Sequence, residues 1–241
     1  MISDCQRDVR LARSLGFKGK VLGIFPGAGG YPIEQMQTLR QQGPVSQRRM
    51  IALKGTGSVS TGETGSIHHT VGRAQVALEA LRKISHLLSH RNIEVAVYQS
   101  TSSIRQEALR LREEGISVTI IPRSLPEEIY KLFGRARIAV GVSISDGVPS
   151  AMLEAMIMGA FPIQTDPGGA TSEWIKNGVN GFIIPPDDPD AIAEAITKAI
   201  EDDDLVESAA KINLELTYER IDLSVIQPKV VSLYEQVANR L

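Results

Sequence analysis

The chain has 241 residues, 42 % of them hydrophobic and 22 % charged, which is enough apolar material for a sizeable core and too much for a disordered segment. Twenty-six basic against 28 acidic residues leave a net charge of −2, without the basic footprint of a nucleic-acid binder, and no nucleic-acid partner is expected. A single cysteine, Cys5, excludes an internal disulfide framework and a thiolate zinc site. No apolar run reaches the roughly 18 residues of a membrane-spanning helix, and the charged start MISDCQRDVR is unlike a signal peptide, so a cytoplasmic α/β protein of one to two domains is expected.

The first 48 residues hold a charged helical pattern (about 5–15), a strand-like KVLGIF, a glycine-rich turn at 26–30 and a polar connector at 35–49. From residue 49 onward, short β-branched runs alternate with helical periodicities. Strands are predicted at 49–54, 93–98, 117–121, 138–142, 161–164 and 181–184. Helices are predicted at about 72–90, 103–114, 126–135, 150–158, 172–176 and 188–201. In the longest of these, Val76, Ala80, Leu81, Ile84, Leu87 and Leu88 recur at helical spacing. Two further helices, 205 to about 220 and 223–241, close the chain. Strand–helix alternation with right-handed crossovers implies a Rossmann-like, doubly wound, mostly parallel sheet of about six strands. The polar, glycine-rich stretch 56–70 (TGSVSTGETGSIHHT) reads as a mobile loop at the carboxyl edge of that sheet, where ligands of such folds bind. Its adjacent His68 and His69 suit a single metal ion poorly, and only Glu63 accompanies them, so no metal is expected.

Residues 138–186 concentrate the chemistry. A turn, Asp146-Gly147-Val148-Pro149, follows a strand and runs straight into the helix 150–158, whose first backbone N–H groups form an anion site. That helix is apolar all round except for Glu154. A lone carboxylate there needs a partner, and its side chain leans back toward the helix N-terminus. Two readings stand at this point: Glu154 accepts from adjacent hydroxyls such as those of a ribose, or it caps a neighbouring loop. Trp174 reads as a packing residue.

An acidic residue, seven residues, then Glu in an LEAM context, followed by GAFPIQTDPGG, SEWI and NGVNGFIIPPDDPDAIAEAI, resembles the carboxy-terminal half of bacterial retaining family-4 glycosyltransferases. The resemblance runs from about 49 to 201 and is strongest over 143–195. It implies one half of a GT-B fold, in which two Rossmann-like domains face across a cleft and the second holds a nucleotide-sugar donor, here UDP- or GDP-linked, with no metal. Carried onto this chain, it implies that Asp146 contacts the transferred sugar, where the family usually has Glu, and that Glu154 accepts from the ribose. Gly147, Val148 and Pro149 would line the sugar, Pro149 lacking an N–H that a Gly would supply, while Ser150 and Ala151 present N–H groups to the distal phosphate. Lys54 and Arg73 would neutralise the diphosphate, and Pro122 and Arg123 would seat the base.

The resemblance also implies that 1–48 is an interdomain remnant, 49–222 the donor-binding domain and 223–241 the closing helix. An upstream acceptor-binding domain would then be missing from this chain, the isolated chain would be inactive in transfer, and the full enzyme would associate peripherally with a membrane during polysaccharide synthesis. The alternatives are a non-catalytic nucleotide-sugar-binding module and an epimerase-like enzyme on the same fold. A Rossmann dehydrogenase is disfavoured because no strand runs into Gly-x-Gly-x-x-Gly.

Overall fold

The computed structural model describes residues 1–27, 29–56 and 71–238; the expected loop at 56–70, with His68 and His69, lies outside them apart from Thr56. The amino-terminal segment contributes β1 (Ile2–Ser3), α1 (Gln6–Ser14), β2 (Gly23–Ile24) and the short α2 (Ile33–Gln37), with β1 and β2 paired in parallel. The core follows as β3 (Met50–Lys54), α3 (Ala74–Lys83), α4 (Ser85–His90), β4 (Glu94–Tyr98), α5 (Ser102–Glu113), β5 (Val118–Ile120) and α6 (Pro126–Arg135). It continues through β6 (Ile138–Gly141), α7 (Ser150–Ile157), β7 (Phe161–Gln164), β8 (Phe182–Ile183) and α8 (Pro189–Glu201), and closes with α9 (Asp203–Ile221) and α10 (Leu223–Ala238).

Strands β3 to β8 form one all-parallel sheet in the order β5-β4-β3-β6-β7-β8. Alternate residues of each strand face opposite layers, which is why both sides of the strands are apolar. Ile51, Leu53, Val95 and Val97 pack with α3, α5 and α8, whereas Ala52, Ala96, Tyr98 and Ala139 pack with α6 and α7. The chain builds outward from β3 to β5, then crosses back to lay β6 on the other side of β3. The carboxyl ends of β3 and β6 therefore part and open a crevice.

Helix starts follow their local chemistry. Pro126 and Pro189 occupy first-turn positions of α6 and α8, and the Asp188 carboxylate accepts the N–H groups of Asp190 and Ala191, both at 3.0 Å. The helix expected over 72–90 starts later and is interrupted at Ile84 (φ −104°, ψ 17°). Gly72 bridges to Ser143 instead, and an added Cβ there would lie 2.2 Å from the Thr56 carbonyl oxygen, so only glycine permits this approach. The expected helix at 172–176 is a single 3₁₀ turn, Thr171–Glu173. The polar connector at 35–49 holds the end of α2 and a 3₁₀ turn, Val45–Gln47.

That connector also delivers Arg48, which is 1 % exposed. Its Nη1 donates to the carbonyls of Ala136 (3.0 Å) and Met158 (3.1 Å), with Phe133 at 3.5 Å, so one cation closes the carboxyl ends of both α6 and α7. Burial, aided by neighbouring Arg40, pushes the guanidinium down to about 10, which still leaves it charged at neutral pH. We expect Arg48→Ala to cost about 3 kcal/mol of stability, the scale for removing one side of a buried charged contact, as read from urea unfolding. A loss within experimental error would show that the two helix ends do not depend on it.

Candidate functional site

Helix α7 leaves the crevice floor with Met152, Leu153, Ala155, Met156 and Ile157 all buried, as its sequence demands. Its N-cap is Pro149, which has no side chain to offer the first turn, and the N–H groups of Met152 and Leu153 both turn back to the Pro149 carbonyl. The amino end of α7 is thus an uncapped positive pole facing the crevice. Lys54, at the end of β3, shares the crevice wall with Thr56, Tyr98, Asp146, Pro149 and Ala151. The structure therefore gathers Lys54, Asp146, Pro149 and Ala151 in one place, with Gly147 and Val148 completing the turn between them and Ser150 exposed at its rim.

Glu154 is half-buried, and its charge is felt by Tyr31, Tyr98 and Tyr130 as well as by Lys54. Burial pushes its carboxyl up to about 7, with Lys54 partly opposing the shift. Burial and the Glu154 charge push Tyr31 up to about 12, and Tyr98 and Tyr130 also rise for the same two reasons. Tyr98 ends β4, Tyr130 lies in α6 and Tyr31 comes from the amino-terminal segment, where its backbone bridges to Ile221 and Leu223. None of the three was singled out from the sequence. For Tyr98 a signal existed, an aromatic at the carboxyl end of the strand IEVAVY; Tyr31 and Tyr130 reach Glu154 only through the tertiary fold.

Arg73 stands at the N-cap of α3, on the far side of Gly72. Its backbone N–H donates to the Val142 carbonyl at 2.9 Å, and its Nε lies 3.3 Å from the Asp187 carboxylate. It is held at the crevice mouth by β6 and by the loop that leads into α8. Pro122 and Arg123 are exposed beyond β5, at the outer edge of the sheet, and no described contact joins them to the crevice. Trp174 is buried beneath the Arg220 guanidinium, which sits 4.7 Å from the ring centroid, a packing role.

Sequence reasoning also missed a latch from the amino-terminal segment. The Glu173 carboxylate accepts the N–H groups of Gln6 (2.9 Å) and Arg7 (2.7 Å), capping α1 from across the fold. Arg7 Nη1 in turn donates to the carbonyls of Asp146 (2.6 Å) and Pro167 (3.0 Å), tying the two loops beside α7 together. Asp4 accepts the Val148 N–H at 3.4 Å. Such pairings span well over a hundred residues and leave no local pattern. Among the described residues, the grouping able to hold a metal ion is Asp4, Cys5 and Asp8, and no helix is long and apolar enough to cross a membrane.

Because the Glu154 carboxyl binds its proton more tightly in the folded chain, the native state holds more protons than the unfolded state between about 4.5 and about 7. Its contribution is fully present below the lower value and is lost as pH rises through the upper one. Thermal unfolding should therefore show Glu154→Gln gaining on the parent as pH climbs across this window. Parallel Tm profiles for the two proteins would rule out a desolvated Glu154.

Residues 70–214, more than half of the chain, match the family described as glycosyl transferases group 1. A comparison with curated proteins finds no match. Among solved structures, the fold is similar to HepE of Anabaena, crystallised with UDP and glucose (TM-score 0.72, 17 % identity, 98 % of this chain and 62 % of that one). It is similar also to a glycosyltransferase of Rickettsia africae (TM-score 0.73, 17 % identity, 98 % and 63 %). The C-terminal domain of LpcC from Francisella tularensis aligns over 80 % of this chain and 96 % of its own length (TM-score 0.59, 21 % identity). This chain thus spans under two thirds of the length of the first two. With its six-stranded parallel sheet and its match over 70–214, the chain is one Rossmann-like half of a GT-B fold and belongs to the group 1 glycosyltransferases.

Proposed function

We propose that the chain is the donor-binding half of a retaining glycosyltransferase that moves a sugar from a nucleoside diphosphate to a saccharide or glycoconjugate acceptor. The observation that carries this reading is the meeting, at the β3/β6 crevice, of the uncapped α7 amino end with Lys54 on one side and the half-buried Glu154 one turn further in. A helix N-terminus beside a cation is built for phosphate, and a carboxylate next to it is built for vicinal hydroxyls. HepE of Anabaena has been crystallised with UDP and with UDP-glucose, which supports a nucleotide sugar as the ligand class here.

In this function the Ser150 and Ala151 N–H groups receive the distal phosphate, and Lys54 and Arg73 balance the charge that grows on the diphosphate as the anomeric C–O bond breaks. Glu154 accepts from the ribose. Asp146 and the backbone of Gly147, Val148 and Pro149 face the sugar, while Pro122 and Arg123 lie on the base side. The new bond forms on the face the diphosphate leaves, and the acceptor proton passes to a phosphate oxygen. Acceptor and donor must be held together in a closed cleft. Transfer is therefore assigned to the chain together with an acceptor-binding domain, and the chain alone is assigned binding without turnover.

Glu154→Ala should weaken UDP or GDP-sugar binding by about 1–3 kcal/mol in calorimetry, the scale of a charge-assisted hydrogen bond. The fold should persist, because alanine suits an apolar helix. Unchanged affinity would remove Glu154 from the ligand site. In the two-domain enzyme, Asp146→Ala should lower kcat/KM by a larger factor than it lowers donor affinity, since an interaction with the reacting sugar strengthens in the transition state. Equal proportional losses would make Asp146 a binding residue alone.

A further inference from the structure

Strand β7 reads Phe-Pro-Ile-Gln, and its last residue departs from the apolar run that a strand covered on both faces requires. Phe161 and Ile163 pack into the layer of α3, α5 and α8. Gln164 therefore points to the opposite layer, toward the first turn of α7. There it is 6 % exposed, and its side-chain amide makes no hydrogen bond among the described residues. An amide buried without a partner costs free energy that an apolar residue of the same length would not. Its seat is nonetheless fixed from several sides. Thr165 Oγ1 donates to the Ser143 carbonyl at 2.7 Å and accepts the Ser143 N–H at 2.9 Å, and the Gln164 carbonyl accepts the Ile184 N–H at 2.9 Å. Opposite it in register is Gly141, where an added Cβ would collide with the Gln164 Oε1, so the amide fills the space that a side chain there would take.

The amide lines a recess of about 20 Å³ in the crevice floor, together with Lys54, Asp146, Pro149 and Ala151. That is room for a single oxygen atom of the size of a water. The formal charges of Lys54 and Asp146 cancel, so fixed dipoles single out an oxygen there: the uncapped α7 pole and the Gln164 amide N–H. Ala151, whose N–H is assigned to the distal phosphate, borders the same recess. We propose that Gln164 is a specificity-determining residue of the donor site: its amide N–H donates to one oxygen of the distal phosphate, so that the site tells a nucleoside diphosphate from a monophosphate. This rests on the donor-binding reading above and deepens it, giving recognition of the second phosphate to a neutral group at the end of β7.

The test is calorimetry on the full chain with UDP and UMP, and with GDP and GMP in parallel, for the parent, Gln164→Met and Gln164→Glu. Methionine keeps the length of the side chain without a donor, and glutamate keeps its shape while replacing the amide N–H with an acceptor. A melting curve for each variant establishes that it is folded. Gln164→Met should melt no lower than the parent, because the amide gives up no internal partner. It should reduce the preference for the diphosphate over the monophosphate of the same base by about tenfold, the scale of one hydrogen bond to a charged group, with monophosphate affinity kept within about twofold. Gln164→Glu should reduce that preference further, since a carboxylate repels the phosphate. No such preference in the parent, an unchanged preference in Gln164→Met, or an equal loss for both nucleotides would overturn the assignment and leave the donor site standing. If Gln164→Met does not fold, Gln164→Glu is read by the same ratio; failure of both to fold makes the amide structural and overturns the assignment too. If the parent binds none of the four nucleotides, nor UDP-glucose or GDP-mannose, the donor-binding reading itself falls and takes this assignment with it.

Discussion

A single buried guanidinium sets where the crevice floor lies. Arg48 reaches from the connector before β3 to the carboxyl ends of α6 and α7 and satisfies carbonyls that those helices cannot satisfy themselves. Nearby, Arg40 packs against Gly159, in the turn that leaves α7. The far end of α7 is thereby fixed, by hydrogen bonds at Met158 and by burial of its whole apolar surface, which allows the near end to remain uncapped. A free helix pole costs stability unless the rest of the helix is held. The site is thus maintained from its distant side, some ten residues of helix and turn away from where a ligand would sit.

The second constraint is topological. Had the chain continued outward after β5, no two neighbouring strands would diverge at their carboxyl ends. Its return to the other side of β3 leaves Gly55 and Thr56 on one bank and Val142 and Ser143 on the other. Gly72 closes this junction from above, because its missing Cβ lets Thr56 and the start of α3 approach within hydrogen-bonding distance, Ala74 N–H to Thr56 at 3.1 Å. Lys54 ends β3 on one bank, and Arg73, 19 positions further along the chain, is fastened by its N–H to Val142 on the other, so both cations owe their places to the sheet order.

Much of this was legible beforehand. Strands buried on both faces must be continuously apolar, so β3, β4, β6 and β7 announced themselves, and β7 matches its expected limits residue for residue. Helices with proline or aspartate at their starts were equally plain, α6 among them. Within the site, Glu154 stood out because a lone acid in an apolar helix has few explanations. What stayed hidden shares one feature: it depends on contacts between distant segments. The latch from Glu173 to Gln6 and Arg7, the three tyrosines around Glu154, and the role of Arg48 inside a stretch that looked like a polar linker leave no periodicity behind. The interruption at Ile84 was hidden for another reason, since neither glycine nor proline marks it and the buried positions Leu81 and Leu88 keep their helical spacing across it.

The amino-terminal segment changes how the cleft should be understood. By position it looks like an appendage, yet its groups touch the functional turn from both sides: Arg7 holds the Asp146 carbonyl, and Asp4 meets the Val148 N–H. Its own placement comes from the core, because Glu173 caps α1 and the Tyr31 backbone bridges the junction of α9 and α10. A turn held at both Asp146 and Val148 has little freedom to shift when a ligand arrives, which favours a preformed site over an induced one. Cations then stand at one end, Arg73 and Lys54 beside the α7 pole, and the mixed cluster of Asp4, Asp8 and Arg7 stands at the other. A ligand that is anionic at one end and rich in hydroxyls at the other fits that gradient in one orientation only. For the proposed nucleotide-sugar ligand, orientation would then follow from that charge order before any contact specific to base or acceptor.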